Sequence, residues 1–102
     1  MAATKRAARG RTVTVDGITV NVSIDPADDW EFASASAVFA DPGSTPLERA
    51  NAVRTQVRLL LGDDYARAMR ELRAARGGRL PVADVVSFAN RVMEAEAGDA
   101  KN

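Results

Sequence analysis

Four carboxylates crowd into seven residues of this 102-residue chain: Asp25, Asp28, Asp29 and Glu31. Acids at such spacing are the raw material of a Mg²⁺ site or of a general acid–base pair. A second charged group, Arg67, Arg70 and Arg73, recurs every three residues, with Arg76 and Arg79 continuing the series. That spacing makes a basic ridge along a helix, and phosphate neutralisation needs such ridges. Beyond these groups the reactive inventory is short. There is no Cys and no His, which removes disulfide frameworks, thiolate zinc sites, Cys nucleophiles and His-dependent triads. No nucleophile–base pair or metal-ligand set stands out. The expectation is a chain without catalytic residues, cofactor or metal. The acidic group also has a plainer role. Asp25 followed by Pro26 reads as a helix cap and first helical residue, and Asp28, Asp29 and Glu31 then fall in the first turns, where the helix dipole favours negative charge.

The elements that must position these groups are organised around Thr45–Ala75. Thr45, Pro46 and Glu48 spell a capping box with proline at the first helical position. Leu47, Ala50, Val53, Val57, Leu60 and Leu61 follow at helical spacing and define one apolar stripe. Arg49, Arg54 and Arg58 flank it. Gly62 can end this helix, and Asp63 can cap the next. The second helix carries Tyr65, Met69, Leu72 and Ala75 and runs out at Arg76.

Upstream, residues 12–24 alternate apolar and polar through Val13, Val15, Ile18, Val20, Val22 and Ile24, broken by Asp16-Gly17. That dipeptide suits a two-residue hairpin turn, whose central positions need positive φ. A hairpin alone is marginal in water, so it must lie on the helices or pair with another chain; its exposed edge suits strand addition. The helix that starts at Asp25-Pro26 holds Trp30, Phe32 and Phe39, the only Trp and two of three Phe, and is expected to be a major packing element. The same aromatics also suit a partner groove. Asp41-Pro42-Gly43-Ser44 is a turn. After Gly77-Gly78, Leu80-Pro81 begins a last helix bearing Val82, Val85, Val86, Phe88, Ala89, Val92 and Met93. The expected fold is mainly α (α+β): an N-terminal hairpin followed by a compact bundle of about four helices. Residues 1–11 read as a disordered basic arm, 12–96 as a single globular domain (12–24 hairpin, 25–96 helical) and 97–102 as a flexible tail.

Net charge is zero but unevenly spread. Residues 1–11 hold four bases, residues 12–48 seven acids and no base, and residues 49–91 nine Arg against four acids. Such asymmetry marks contact with a charged partner or self-association, or else solvated helix faces. Pairing of the ridge with the acidic 25–41 region, within a chain or between chains, is the more economical reading. Nucleic acid is not the expected partner: charge is balanced, and neither a helix–turn–helix pattern nor stacking aromatics accompany the ridge. No apolar run nears the roughly 18 residues of a membrane span, and the basic N-terminus lacks the apolar segment of a secretory signal. An intracellular protein is expected.

Three stretches then resemble one family. Asp28–Phe32 (Asp-Asp-Trp-Glu-Phe), Leu59–Tyr65 with its Leu-Leu-Gly-Asp, and Gly78–Val82 (Gly-x-Leu-Pro-Val) occur in an order similar to tail assembly chaperones of long-tailed phages, over about residues 25–95. The resemblance implies a small non-catalytic protein of the host cytoplasm, absent from the mature virion. It also implies binding of the tape-measure protein, in keeping with Trp30, Phe32 and Phe39 as apolar contacts and Arg67, Arg70 and Arg73 as steering charges. Such proteins are often made in two lengths by a ribosomal slip near the end of the short frame. A slip at Lys101-Asn102 would make a longer form of this chain a further partner, beside a homo-oligomer. The rival expectations are a structural or adaptor protein retained in the virion, and a small nucleic-acid-binding regulator using Arg67, Arg70, Arg73 and the N-terminal arm.

Overall fold

Alternation of β-branched and polar residues makes a short ribbon at the start of the chain. In the computed structural model, which describes residues 11–101, strand β1 (Arg11–Val15) pairs antiparallel with β2 (Ile18–Val22), Val13 opposite Val20 and Val15 opposite Ile18. Asp16 and Gly17 join them with φ of 56° and 78°, the positive pair that this turn demands. Val13, Val15, Ile18, Val20 and Val22 all point to one face and are buried. The other face shows Thr12, Thr14, Thr19 and Asn21 to solvent, with the Thr14 and Thr19 hydroxyls 2.8 Å apart across the strands.

The helices follow: α1 (Trp30–Ala40), α2 (Pro46–Leu61), α3 (Tyr65–Ala75) and α4 (Val82–Lys101). The fold is mainly helical with a two-stranded antiparallel hairpin at its N-terminal end. The capping box forms as read: the Glu48 N–H donates to Thr45 Oγ1 at 3.1 Å, and the Thr45 N–H donates to Glu48 Oε1 at 2.8 Å. Val53, Val57, Leu60 and Leu61 of α2, Ala68, Met69 and Leu72 of α3, and Phe88, Ala89 and Val92 of α4 close over the buried face of the hairpin.

Several boundaries differ from expectation. The core joins the hairpin to α2, α3 and α4 and contains no residue of α1. The expected bundle of about four helices is therefore a three-helix core with α1 docked outside, on α2. Asp25-Pro26 starts only a 3₁₀ turn, Pro26–Asp28, and Asp29 caps α1 by accepting the Phe32 N–H at 2.9 Å. Asp63 caps nothing. Gly62–Asp64 is a second 3₁₀ turn, and the carboxylate of Asp64 turns to the hairpin. Leu47 is 71% exposed, because the first turn of α2 projects beyond the core. Arg11, placed with the disordered arm, is the first residue of β1, and residues 97–101, placed in a flexible tail, are the last turn of α4. The rest of the arm, residues 1–10, and Asn102 lie outside the described residues.

One junction locks the two layers. The Ser23 N–H donates to the Leu60 carbonyl at 2.8 Å, and Ser23 Oγ lies 3.2 Å from the carbonyls of both Leu59 and Leu60. These carbonyls belong to the last turn of α2 and have no helical partner of their own. The chain escapes through Gly62, at φ 54° and ψ −126°, a conformation that L side chains rarely adopt. A Cβ here would also stand 2.6 Å from Ser23 Oγ. Gly62→Ala should therefore cost about 1–3 kcal/mol from backbone strain alone, and more if Ser23 is displaced. Chemical denaturation measures it; a loss within about half a kcal/mol, the range of ordinary surface changes, would show that the junction yields freely.

Candidate protein-binding surface

α1 is apolar around most of its circumference, and a helix of that kind is normally buried. Here only Phe32 and Ala35 are buried, where α1 meets α2. Gln56 of α2 fastens the contact: its Nε2 donates to the Phe32 carbonyl at 3.1 Å and to Ser36 Oγ at 2.7 Å. Ala33, Ala37 and Ala40 face solvent. Trp30, expected to pack, is 83% exposed. At 100° per residue it lies nearly opposite Phe32 on the helix, so the geometry that buries one exposes the other.

Phe39 follows Phe32 after seven residues and shares its side of α1. It is 44% exposed and stands at the mouth of a cleft between α1, α2 and α4. The cleft holds about 240 Å³ and is lined by Phe32, Phe39, Val53, Val57, Leu60, Val86, Ala89 and Met93, with Gln56 and Asn90 as its polar groups. Among the described residues no charged side chain lines it. An apolar slot bounded by three helices has the form of a groove that accepts the apolar face of another helix. The spacing of Val86, Ala89 and Met93 places them on the last helix; Ala89 belongs to the core and Val86 and Met93 pack against it, and all three also form the α4 wall of the cleft. A wider cleft of about 660 Å³ on the other flank of the α1–α2 pair is lined by Glu31, Asp41 and Glu48 around Ala35, Val38 and Ala52.

The arginines serve three purposes. Arg67 is half-buried and occupied: it pairs with Glu71 at 3.1 Å and Asp64 at 3.3 Å, and its Nη2 donates to the Thr19 carbonyl at 2.7 Å. Glu71 first, then Asp64, raise its pKa above the ordinary arginine value. Arg76 and Arg91 converge on Asp16. Arg91 grips both carboxylate oxygens, while Arg76 reaches Asp16 at 3.4 Å and Asp84 at 3.2 Å. Arg70 and Arg73 are exposed, and Arg73 borders a smaller apolar pocket with Tyr65, Met69 and Leu80. The ridge thus pairs with carboxylates of the hairpin turn, of its own helix and of α4, where pairing with the acidic 25–41 region was expected. Of the six residues singled out for partner binding, Phe32 and Phe39 share the cleft, Trp30 lies on the reverse of α1, and Arg67, Arg70 and Arg73 lie on α3.

Asp25 and Asp29, half of the acidic group, act as caps, Asp25 accepting the Ala27 N–H at 3.1 Å. Among the described residues no group of three or more His, Cys, Asp or Glu is placed to hold a metal ion, and no helix is long and apolar enough to cross a membrane. Comparison with protein-family models, with curated proteins and with solved structures returns no match.

Two outcomes test this surface. Arg91 first, then Arg76, holds the Asp16 carboxyl below its ordinary value of 3.8, against the opposing effect of burial. A depressed folded value gives stability that is fully present above about pH 4 and lost as pH falls through the lowered value. Denaturation midpoints of the wild type should fall on that acid limb, and Asp16→Asn should flatten it. Separately, Phe32→Ala should release α1, so that its amides exchange faster while those of β2 and α3 keep their protection. Trp30→Ala should leave stability unchanged within about half a kcal/mol. Equal effects of the two variants on exchange would contradict the assigned orientation of α1.

Proposed function

We propose that this protein is a non-catalytic tail assembly chaperone of a long-tailed phage. It binds the tape-measure protein in the host cytoplasm, keeps it soluble while the tail forms, and is absent from the mature virion. The observation that carries the proposal is the uncharged cleft between α1, α2 and α4 together with the exposed apolar surface of α1, Trp30 included. Apolar surface left open beside a groove is a mark of protein–protein contact. A tape-measure protein is long, helical and prone to aggregate before the tail tube covers it, so the apolar face of one of its helices is a suitable occupant. The resemblance of Asp28–Phe32, Leu59–Tyr65 and Gly78–Val82 to the chaperone family supports the same reading. Arg70 and Arg73, exposed on α3, would steer acidic helices towards the domain.

Co-expression tests the proposal. If the gene lies before a very long helical reading frame, the chain should raise the soluble fraction of that product. Phe39→Asp, at the mouth of the cleft, should abolish the gain while leaving the fold intact. Charge reversal at Arg70 and Arg73 should weaken the complex at low salt and matter little at high salt. Reversal at Arg67 is a poor probe, because it also breaks the contact with the hairpin. Recovery of the chain from purified virions would favour an adaptor retained in the particle, and salt-dependent retention on DNA at physiological ionic strength a nucleic-acid-binding regulator.

A further inference from the structure

The two edges of the hairpin are treated differently. The turn at Asp16-Gly17 makes Val15–Ile18 and Val13–Val20 the pairs that exchange main-chain hydrogen bonds, so the polar groups of Thr12 and Thr14 on β1, and of Thr19 and Asn21 on β2, point outward. The outer edge of β2 is closed. Asp64 accepts the Asn21 N–H at 2.8 Å, Arg67 donates to the Thr19 carbonyl at 2.7 Å, and the Ser23 N–H is taken by Leu60. Asp64 and Arg67, themselves 3.3 Å apart, stand in for the acceptor and donor of a neighbouring strand. On β1 no hydrogen bond to the main chain of Thr12 or Thr14 is formed among the described residues. β1 has no Pro, Lys or bulge, and its one charged residue, Arg11, stands at the first position of the strand, clear of Thr12 and Thr14. Nor does α4 cover that edge from the side. Arg11, Val13 and Val15 share the inner face, and Arg11 meets Glu96 of α4 there at 3.3 Å, so α4 lies beneath the strand.

We infer that the open edge of β1 pairs with β1 of a second copy, antiparallel about a two-fold axis at Val13, to give a four-stranded sheet. This register sets Thr12 opposite Thr14 of the second copy, overlaps all five residues of each strand, and lets the four outward N–H groups and carbonyls bond reciprocally. Both copies keep their valine faces on the same side, over their own helices. Main-chain geometry selects the antiparallel sense. The N–H and carbonyl of Thr12 can both be exchanged with a single residue, Thr14 of the second copy, only when the strands run antiparallel. The two-fold then stands perpendicular to the sheet, whereas a two-fold that paired the strands parallel would run along them and set the two valine faces on opposite sides. The inference is independent of the cleft and of what the cleft binds.

The chain has no cysteine, so introduced thiols report on this contact alone. Thr12→Cys and Thr14→Cys variants of the full chain, mixed and oxidised, should form a crosslinked heterodimer. Each variant alone should crosslink far less, because like positions stand diagonally across the axis, beyond the roughly 7 Å limit for a disulfide. Thr14→Pro removes an outward N–H and leaves the main-chain bonds inside the hairpin in place, losing there only the hydroxyl contact with Thr19; it should turn a concentration-dependent dimer, measured by light scattering, into a monomer with an unchanged circular dichroism spectrum. Equal crosslinking of all three preparations would overturn the register. A wild type monomeric at every attainable concentration, with Thr12 and Thr14 amides exchanging as fast as open chain, would overturn the pairing. An edge protected only by an extended segment of another protein would overturn the choice of a second copy.

Discussion

Ser23 is where a ribbon and a helix pair become one structure. Its N–H and hydroxyl reach carbonyls in the last turn of α2 that the helix cannot satisfy itself. A hairpin of two five-residue strands does not persist in water alone, and the hairpin's valines complete the core that α2, α3 and α4 share. The contact sets the height at which the ribbon meets α2, and so which valines face Val57, Leu60 and Leu61. Gly62 is required by the same arrangement, since the chain must turn away from α2 in the space that Ser23 occupies.

Around that junction, charge replaces bulk. Aromatics are only 5% of the chain, so the layer between ribbon and helices is thin and built from Val, Leu and Ala. Ion pairs and charge-assisted hydrogen bonds tie its periphery: Asp16 pairs with Arg76 and Arg91 at the turn, the Asn21 N–H and Thr19 carbonyl bond Asp64 and Arg67 along one edge, and Arg11 pairs with Glu96 at the far end. Exposed pairs contribute little each to stability. Their larger effect here is on geometry, because each joins residues more than forty positions apart in the chain and fixes the lie of the ribbon over the helices.

What could be read from the sequence was what is local. Thr45, Pro46 and Glu48 define a helix start within four residues, and Asp16-Gly17 defines a turn within two; both depend on backbone chemistry that no distant residue alters. Placement of α1 could not be read, because Trp30, Phe32 and Phe39 look equally apolar until the position of α2 decides which is covered. The cleft was half legible for the same reason: Phe32 and Phe39 suit a partner groove from sequence, while the spacing of Val86 and Met93 places them on a helix without showing that they face α1 across a gap. The Arg67 contact to Thr19 was hidden most deeply. Periodicity placed Arg67 in a ridge with Arg70 and Arg73, but only the three-dimensional course of β2 shows that its guanidinium closes a strand edge.

The exposure of Trp30 has a spectroscopic consequence. It is the only tryptophan of the chain, and in the folded state its indole is already hydrated. Loss of the valine and leucine layer therefore changes its surroundings little, and emission is a poor gauge of global unfolding. Anything that settles on the outer side of α1 does change them, moving the emission to shorter wavelength. The chain thus carries a natural optical label on its outermost helix, dark to the fate of the core and sensitive to company.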